Sequence, residues 1–142
     1  MKNLQNLFAD NFVVYFKSHI YHFNVVGPTF AQDHTLFQEV YEYLWEQHDI
    51  IGELIRQTDQ LIKIELPEIA DASAISDKKY AMTRDIMFTD LIVDIEQLIK
   101  YGETCYEMAG NTGLGGVETA LGDYLKGLGK LRWKLIASKG MK

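Results

Sequence analysis

A chain of 142 residues can bury one sizeable core, and a hydrophobic fraction of 47% with 24% charged residues excludes a largely disordered polypeptide. The net charge of −6 disfavours a general nucleic-acid binder and is compatible with a protein that gathers cations. The lone cysteine, Cys105, excludes an intrachain disulfide. Because no export signal or membrane-spanning run is apparent, we expect a cytoplasmic protein.

Apolar residues recur at helical spacing in four segments. The first covers residues 4–25, with the polar Asn11 and Ser18 on its apolar stripe, and Gly27-Pro28 ends it. The second covers residues 30–62.

Residues 63–80 contain Pro67 and a small, polar run, which predicts a long connection with room for one short helix. The third and fourth helices are predicted over residues 83–108 and 116–137. Four such helices with one long connection indicate an all-α, ferritin-like four-helix bundle with its crossover between helices two and three. We expect a single domain over residues 1–142.

Three glycines, Gly122, Gly127 and Gly129, lie inside the fourth predicted helix. Each costs roughly 1 kcal/mol of helix stability relative to alanine. They indicate either a locally weak helix or the close approach of a neighbouring subunit.

The second helix carries a polar stripe without any lysine or arginine between residues 25 and 55. The stripe is either a solvated face or a set of metal ligands, and it consists of His34, Gln38, Glu42, Trp45, Asp49 and Glu53. Imidazole and carboxylate side chains suit iron, manganese or zinc as ligands. The Glu-x-x-His motif of di-iron centres within one bundle does not occur in the sequence.

The spacing of these ligands decides where a metal could bind. His34 and Asp49 are fifteen residues apart, hence about 22 Å along one helix at 1.5 Å per residue. One chain cannot bring both to the same ion. The sequence therefore offers no site or a site completed by a second, antiparallel copy.

The segment from His22 to Phe30, followed by His34 and by Asp49-Ile50-Ile51-Gly52-Glu53, resembles the signature of the Dps family of mini-ferritins. The match includes the twelve-residue spacing of the histidines, the Gly-Pro turn and the Asp-x-x-x-Glu pair. It extends over the helix pattern of nearly the whole chain, including Trp133.

The resemblance implies a dodecameric shell with iron-binding ferroxidase centres at two-fold interfaces. His22 and His34 come from one subunit, and Asp49 and Glu53 come from its partner. Family members oxidise Fe(II), usually with hydrogen peroxide in preference to oxygen, store the ferric mineral and thereby limit oxidative damage. Glu118 and Asp123 are either acids of an entry pore or solvated.

Two positions depart from the family pattern. Gln38 stands where the family often has an aspartate, so we expect a weaker second iron position. Phe23 stands where the family often has a tryptophan, which removes a possible radical sink. Neither His19 nor His48 is expected to be a ligand.

The alternative function is a shell with weak or no ferroxidase activity that acts as a structural or DNA-protecting protein. Direct DNA binding is not expected, because the termini offer only Lys2, Lys139 and Lys142. Twelve copies at −6 each also carry −72, which repels phosphates.

Overall fold

The computed structural model describes residues 3–73 and 82–141, which form helices and no strands. Residues 1–2, 74–81 and 142 lie outside the described residues; they include part of the expected connection and the terminal Lys2 and Lys142. The helices are α1 (Leu4–Asn24), α2 (Phe30–Gln57), the short α3 (Ile69–Ala72), α4 (Arg84–Asn111) and α5 (Gly115–Ser138), with a 3₁₀ turn (Leu66–Glu68) before α3. The all-α bundle with a long crossover is confirmed.

Two of the long helices begin at side-chain caps. The Asn3 side chain accepts a hydrogen bond from the Asn6 backbone N–H at 3.1 Å, and Thr83 accepts one from the Ile86 N–H at 3.3 Å. Each cap satisfies a donor that has no partner within the first helical turn.

The second helix ends five residues earlier than the sequence predicts. Thr58 follows the helix and donates its hydroxyl proton to the Ile55 carbonyl at 2.7 Å. Asp59 adopts a positive φ of 61°, a left-handed conformation that stops the helix where no glycine marks the end. The chain then turns back, and Ile62 packs beside Gly52 of α2.

The ends of three helices meet at Arg84, the first residue of α4. Its guanidinium forms a two-contact ion pair with Asp33 in the first turn of α2, at 2.6 and 3.1 Å. It also donates to the carbonyl of Ser138 at the end of α5, at 3.0 Å. The starts of α2 and α4 therefore lie together at one end of the bundle.

The core lies where α1 pairs with α2 and α4 pairs with α5. Asn11, a polar residue on the stripe of α1, is fully buried there. Its amide donates to the Leu44 carbonyl at 2.8 Å, and its side-chain oxygen accepts from the Tyr124 hydroxyl at 3.0 Å. Asn11 thus joins α1, α2 and α5 through satisfied hydrogen bonds.

A buried charged cluster joins α1 to α4. Lys17 is only 3% exposed and contacts the carboxylates of Asp90 and Asp94 at 2.9 and 2.6 Å. Tyr21 donates to Asp90 at 2.5 Å. Burial raises the pKa of Tyr21 well above its ordinary value, and the bond to Asp90 adds to this effect. The periodicity alone does not reveal this cluster.

Gly127 has a packing reason inside its own chain. A Cβ there would collide with the ring and hydroxyl of Tyr43, which crosses α5 to donate to the Tyr124 carbonyl at 2.9 Å. Gly122 and Gly129 meet no such obstacle. For Gly127 the close approach therefore involves α2 of the same chain.

Candidate metal centre

The turn between α1 and α2 brings two histidines together. α1 ends at Asn24, and Gly27 adopts a φ of 130°, a conformation that side chains disfavour. Pro28 follows and prevents α1 from continuing. The last turn of α1, with His22, consequently lies beside the first turns of α2, with His34.

The two imidazoles bond reciprocally to each other's backbone. His22 Nδ1 lies 2.7 Å from the His34 carbonyl oxygen, and His34 Nδ1 lies 2.7 Å from the His22 carbonyl oxygen. The rings stack with their centroids 3.6 Å apart and an interplanar angle of 18°. We call this arrangement the histidine pair.

These bonds fix the tautomer of both rings. A carbonyl oxygen only accepts hydrogen bonds, so each Nδ1 is the donor. In the neutral ring the Nε2 atom then keeps its lone pair, which is the form in which imidazole binds a metal. His22 is 6% exposed and His34 is half-buried. One chain therefore presents two oriented ring nitrogens that could bind a metal.

Aromatic rings surround the histidine pair. Phe30 stacks on His34 at a centroid distance of 5.0 Å. A second stack, of Tyr41, His19 and Phe23, has centroid distances of 3.9 and 5.0 Å. It meets His22 nearly edge-on, with the Tyr41 ring 5.1 Å away at 75°. This packing limits how far the His22 ring can move.

His19 is part of that packing and makes no hydrogen bond to His22 among those recorded for the described residues. Its Nδ1 lies 3.1 Å from the Tyr15 hydroxyl. Burial lowers the pKa of His19, and the neighbouring His22 lowers it further.

Asp49 and Glu53 lie one helical turn apart on the second half of α2, and both are exposed. They line a shallow groove together with Phe8 and Arg56. Among residues 3–73 and 82–141, no three histidine, cysteine, aspartate or glutamate side chains come close enough to hold a metal ion. The structure brings together His22 and His34 only, and a site shared between copies stays a prediction.

Other side chains of the polar stripe have partners within the chain. The Gln38 amide donates to the Glu42 carboxylate at 2.8 Å. His48 stacks on Phe8 at 4.0 Å, and burial lowers its pKa against the opposing effect of Asp49. His48 is thus a packing residue, as its position beside the stripe suggests.

The other acidic side chains considered in the sequence differ in their surroundings. Glu39 and Glu46 line a wide groove along α2, where Glu39 pairs with Lys134 at 2.5 Å. Glu118 is half-buried beside Gly110, and Asp123 is exposed.

No described helix is long and apolar enough to cross a bilayer.

A family model for the ferritin-like domain matches residues 1–137, so the chain belongs to the ferritin-like family. Within it, the similar proteins include Dps proteins, which confirms the resemblance seen in the sequence. The DNA protection during starvation protein of Helicobacter pylori is 27% identical over 135 residues, 94% of this chain and 94% of that protein.

Two crystal structures illustrate the similarity. That of the Dps protein from Vibrio cholerae O1, described as a member of a broad superfamily of ferritin-like diiron-carboxylate proteins, matches with a TM-score of 0.89 at 27% identity. It covers 94% of this chain and 84% of that chain. Antigen TpF1 from Treponema pallidum matches with a TM-score of 0.91 at 28% identity, covering 96% and 88%.

Proposed function

We propose that this chain is a cytoplasmic ferroxidase and iron-storage protein that assembles with identical copies into a closed, dodecameric shell. It oxidises Fe(II) with hydrogen peroxide and stores the ferric product inside. Membership of the ferritin-like family and the similarity to Dps proteins support iron storage and protection from oxidation in general.

The observation that carries the proposal is the histidine pair. Each Nδ1 is committed to a backbone carbonyl, so each Nε2 is left with a lone pair for Fe(II). Asp49 and Glu53 of a second copy complete the ligand set, because in this chain they lie about 22 Å and about 28 Å from His34 along α2. A two-fold dimer forms two such sites.

The surface beside the histidine pair supports contact with another copy. Phe23 on α1 and Trp45 on α2 are 64% and 56% exposed, and the rings of His19 and Tyr15 link them by direct contacts. Large apolar side chains grouped on one surface are typical of protein interfaces. A second copy placed there would bring its α2 alongside this one.

Mixing two inactive variants tests whether the site is shared. We expect His34→Ala and Asp49→Asn shells to oxidise Fe(II) slowly when each is made alone. Shells that contain both variants, isolated through two different affinity tags, should recover activity. In a hybrid dimer one of the two sites contains neither substitution, so random pairing restores about a quarter of all sites.

Stopped-flow absorbance of ferric species after mixing with Fe(II) and peroxide measures the recovery. His48→Ala is the control, since His48 packs on Phe8. No recovery in mixed shells would contradict the intersubunit site. A wild-type rate equal to that of both variants would favour the shell without ferroxidase activity, which Gln38 and Phe23 suggest.

A further inference from the structure

The residue that precedes each histidine of the histidine pair is bonded to α4. Tyr21 precedes the histidine of α1 and donates its hydroxyl proton to Asp90 at 2.5 Å. Asp33 precedes the histidine of α2 and accepts two hydrogen bonds from Arg84, at 2.6 and 3.1 Å. Helix α4 carries none of the predicted ligands, yet it is bonded to both of the segments that carry the imidazoles. We call the contacts Tyr21–Asp90 and Asp33–Arg84 the α4 clamp.

Both contacts of the α4 clamp are buried and reinforced. Tyr21 is 1% exposed and Asp33 is 2% exposed, and hydrogen bonds to charged groups are strong where water is excluded. Each carboxylate also has a second partner on the helix that carries the histidine. Lys17 of α1 contacts Asp90 at 2.9 Å, and Thr29 at the start of α2 donates to Asp33 at 2.8 Å.

The two contacts belong to one packed unit. The Arg84 guanidinium lies 4.4 Å from the centre of the Phe88 ring, and Phe88 packs on Phe37 of α2 at 4.9 Å. Both phenylalanines are fully buried. Arg84 and Asp90 are six residues apart on α4, hence about 9 Å along its axis. The spacing of the two contacts is therefore set by a single helix.

The reciprocal bonds of the histidine pair require a fixed distance between α1 and α2. Each Nδ1 lies 2.7 Å from the other residue's carbonyl oxygen, and such bonds are weak beyond about 3.2 Å. Separation of the two helix ends by roughly half an ångström would therefore weaken both bonds. An imidazole without this bond can carry its proton on either nitrogen, and a ring protonated on Nε2 has no lone pair there for a metal.

We propose that Tyr21, Asp33, Arg84 and Asp90 are positioning residues of the metal site. The α4 clamp holds α1 and α2 at the separation at which both imidazoles keep the Nδ1–H form. Both Nε2 lone pairs are consequently in place before any metal binds. The four residues act through the histidine pair and are not ligands. The inference rests on the proposed ferroxidase function.

Two variants open the α4 clamp without leaving a buried charge unpaired. Tyr21→Phe removes one hydroxyl group, and Asp90 keeps its contact with Lys17. The double variant Asp33→Asn/Arg84→Gln removes both charges of the other contact. It thereby avoids the large loss of stability expected when one member of a buried ion pair is removed alone.

Two control variants break contacts of the same kinds elsewhere. Tyr43→Phe removes a hydroxyl that joins α2 to α5 by donating to the Tyr124 carbonyl at 2.9 Å. Glu96→Gln/Arg132→Gln removes an ion pair of 2.9 Å that joins α4 to α5. Thermal unfolding of all four variants measures the loss of stability, so that an effect on the histidine pair can be separated from a general loosening of the bundle.

The histidine tautomers provide the readout. We would record solid-state ¹⁵N spectra of the metal-free, assembled protein labelled in its histidines, with each ring assigned through its own backbone. In the wild type, His22 and His34 should each show a protonated Nδ1 and a bare Nε2. Each clamp variant should add a second form that is protonated on Nε2, and its affinity for Co(II), measured by calorimetry, should fall several-fold. Neither control should change either quantity.

Two results would overturn the inference. Unchanged histidine spectra in both clamp variants would show that the turn between α1 and α2 holds the pair without α4. An equal change in Tyr43→Phe would show that any loosening of the bundle has the same effect. The spectra need no iron, so they are independent of Fe(II) oxidation by the wild type. Unchanged spectra with normal wild-type oxidation reject the α4 clamp alone, whereas changed spectra without wild-type oxidation reject the proposed function alone.

Discussion

The two halves of α2 carry the same kinds of polar residue, but these residues differ in exposure and in their hydrogen-bond partners. In the first half, Asp33 is paired with Arg84 and His34 with the backbone of His22. In the second half, Asp49 and Glu53 stand exposed on the surface. The first half is organised by contacts within its own chain, whereas the second half leaves two carboxylates accessible to another molecule. The proposed intersubunit site would divide its ligands in this way.

The largest effect is expected from His34→Ala, which alters the organised half. Fe(II) oxidation should fall by about 100-fold or more, since loss of even an outer partner of a metal ligand costs about 10- to 100-fold. The free energy of unfolding should also fall by about 2 kcal/mol, because a hydrogen bond and a ring stack are lost. Stopped-flow kinetics and thermal unfolding measure the two effects. An unchanged melting temperature would show that the histidine pair adds nothing to the fold.

Asp49→Asn and Glu53→Gln test the exposed half. Both should slow Fe(II) oxidation strongly while leaving the unfolding free energy within about 0.5 kcal/mol, as for surface substitutions in general. Kinetics and thermal unfolding of the assembled variants provide the comparison with His34→Ala. A large stability loss would mean that these carboxylates already have structural partners in the assembled protein.

Gly127→Ala tests the middle of α2, where Tyr43 crosses α5. The added methyl group would displace the Tyr43 ring, and we expect a loss of about 1–3 kcal/mol in unfolding free energy. Gly129→Ala is the matched control, because a Cβ there meets nothing within 4 Å. It should be neutral or stabilise the helix by up to about 1 kcal/mol. Denaturant titrations of both variants decide the matter; equal effects would contradict the packing role of Gly127.

Gln38→Asp adds a carboxylate to the first half of α2 and so makes its ligands more like those of the second half. The new carboxylate can bind a second Fe(II), so the initial rate of Fe(II) oxidation should rise a few-fold. The hydrogen bond to Glu42 is lost, and unfolding experiments should detect at most a small change. A slower rate would indicate that the Gln38–Glu42 bond itself supports the site.

The smallest effect is expected in DNA binding. The net charge of −6 predicts no mobility shift of duplex DNA at neutral pH and physiological salt. A salt-sensitive shift at low protein concentration would show a basic surface that the composition conceals.

The sequence predicted the helices because apolar periodicity follows directly from burial. The family resemblance implied that His22 and His34 belong to one site, and the Gly-Pro turn between their helices is the physical reason that they lie together. It missed the end of α2, since Asp59 ends the helix in a left-handed conformation that glycine usually adopts and that no glycine signals in the sequence. It also missed the reciprocal bonds, whose acceptors are carbonyls that every residue carries. The pairing of Lys17 with Asp90 and Asp94 depends on contacts between distant segments.

The histidine pair also contributes to packing, as the stacked rings and the 6% exposure of His22 show. The same two side chains hold the first two helices together and orient two ring nitrogens that are free to accept a metal.

The acceptors in the histidine pair are main-chain oxygens, so substitutions of neighbouring side chains leave them in place. Replacing Phe23 or Thr35 alters no acceptor, because the carbonyls of His22 and His34 belong to the helix backbone. The tautomer of each ring therefore depends on the two histidines and on the path of the chain between them. Side chains around the pair can therefore vary and change the rate of Fe(II) oxidation or the oxidant preference. The turn between α1 and α2 continues to set the direction of the two nitrogen lone pairs.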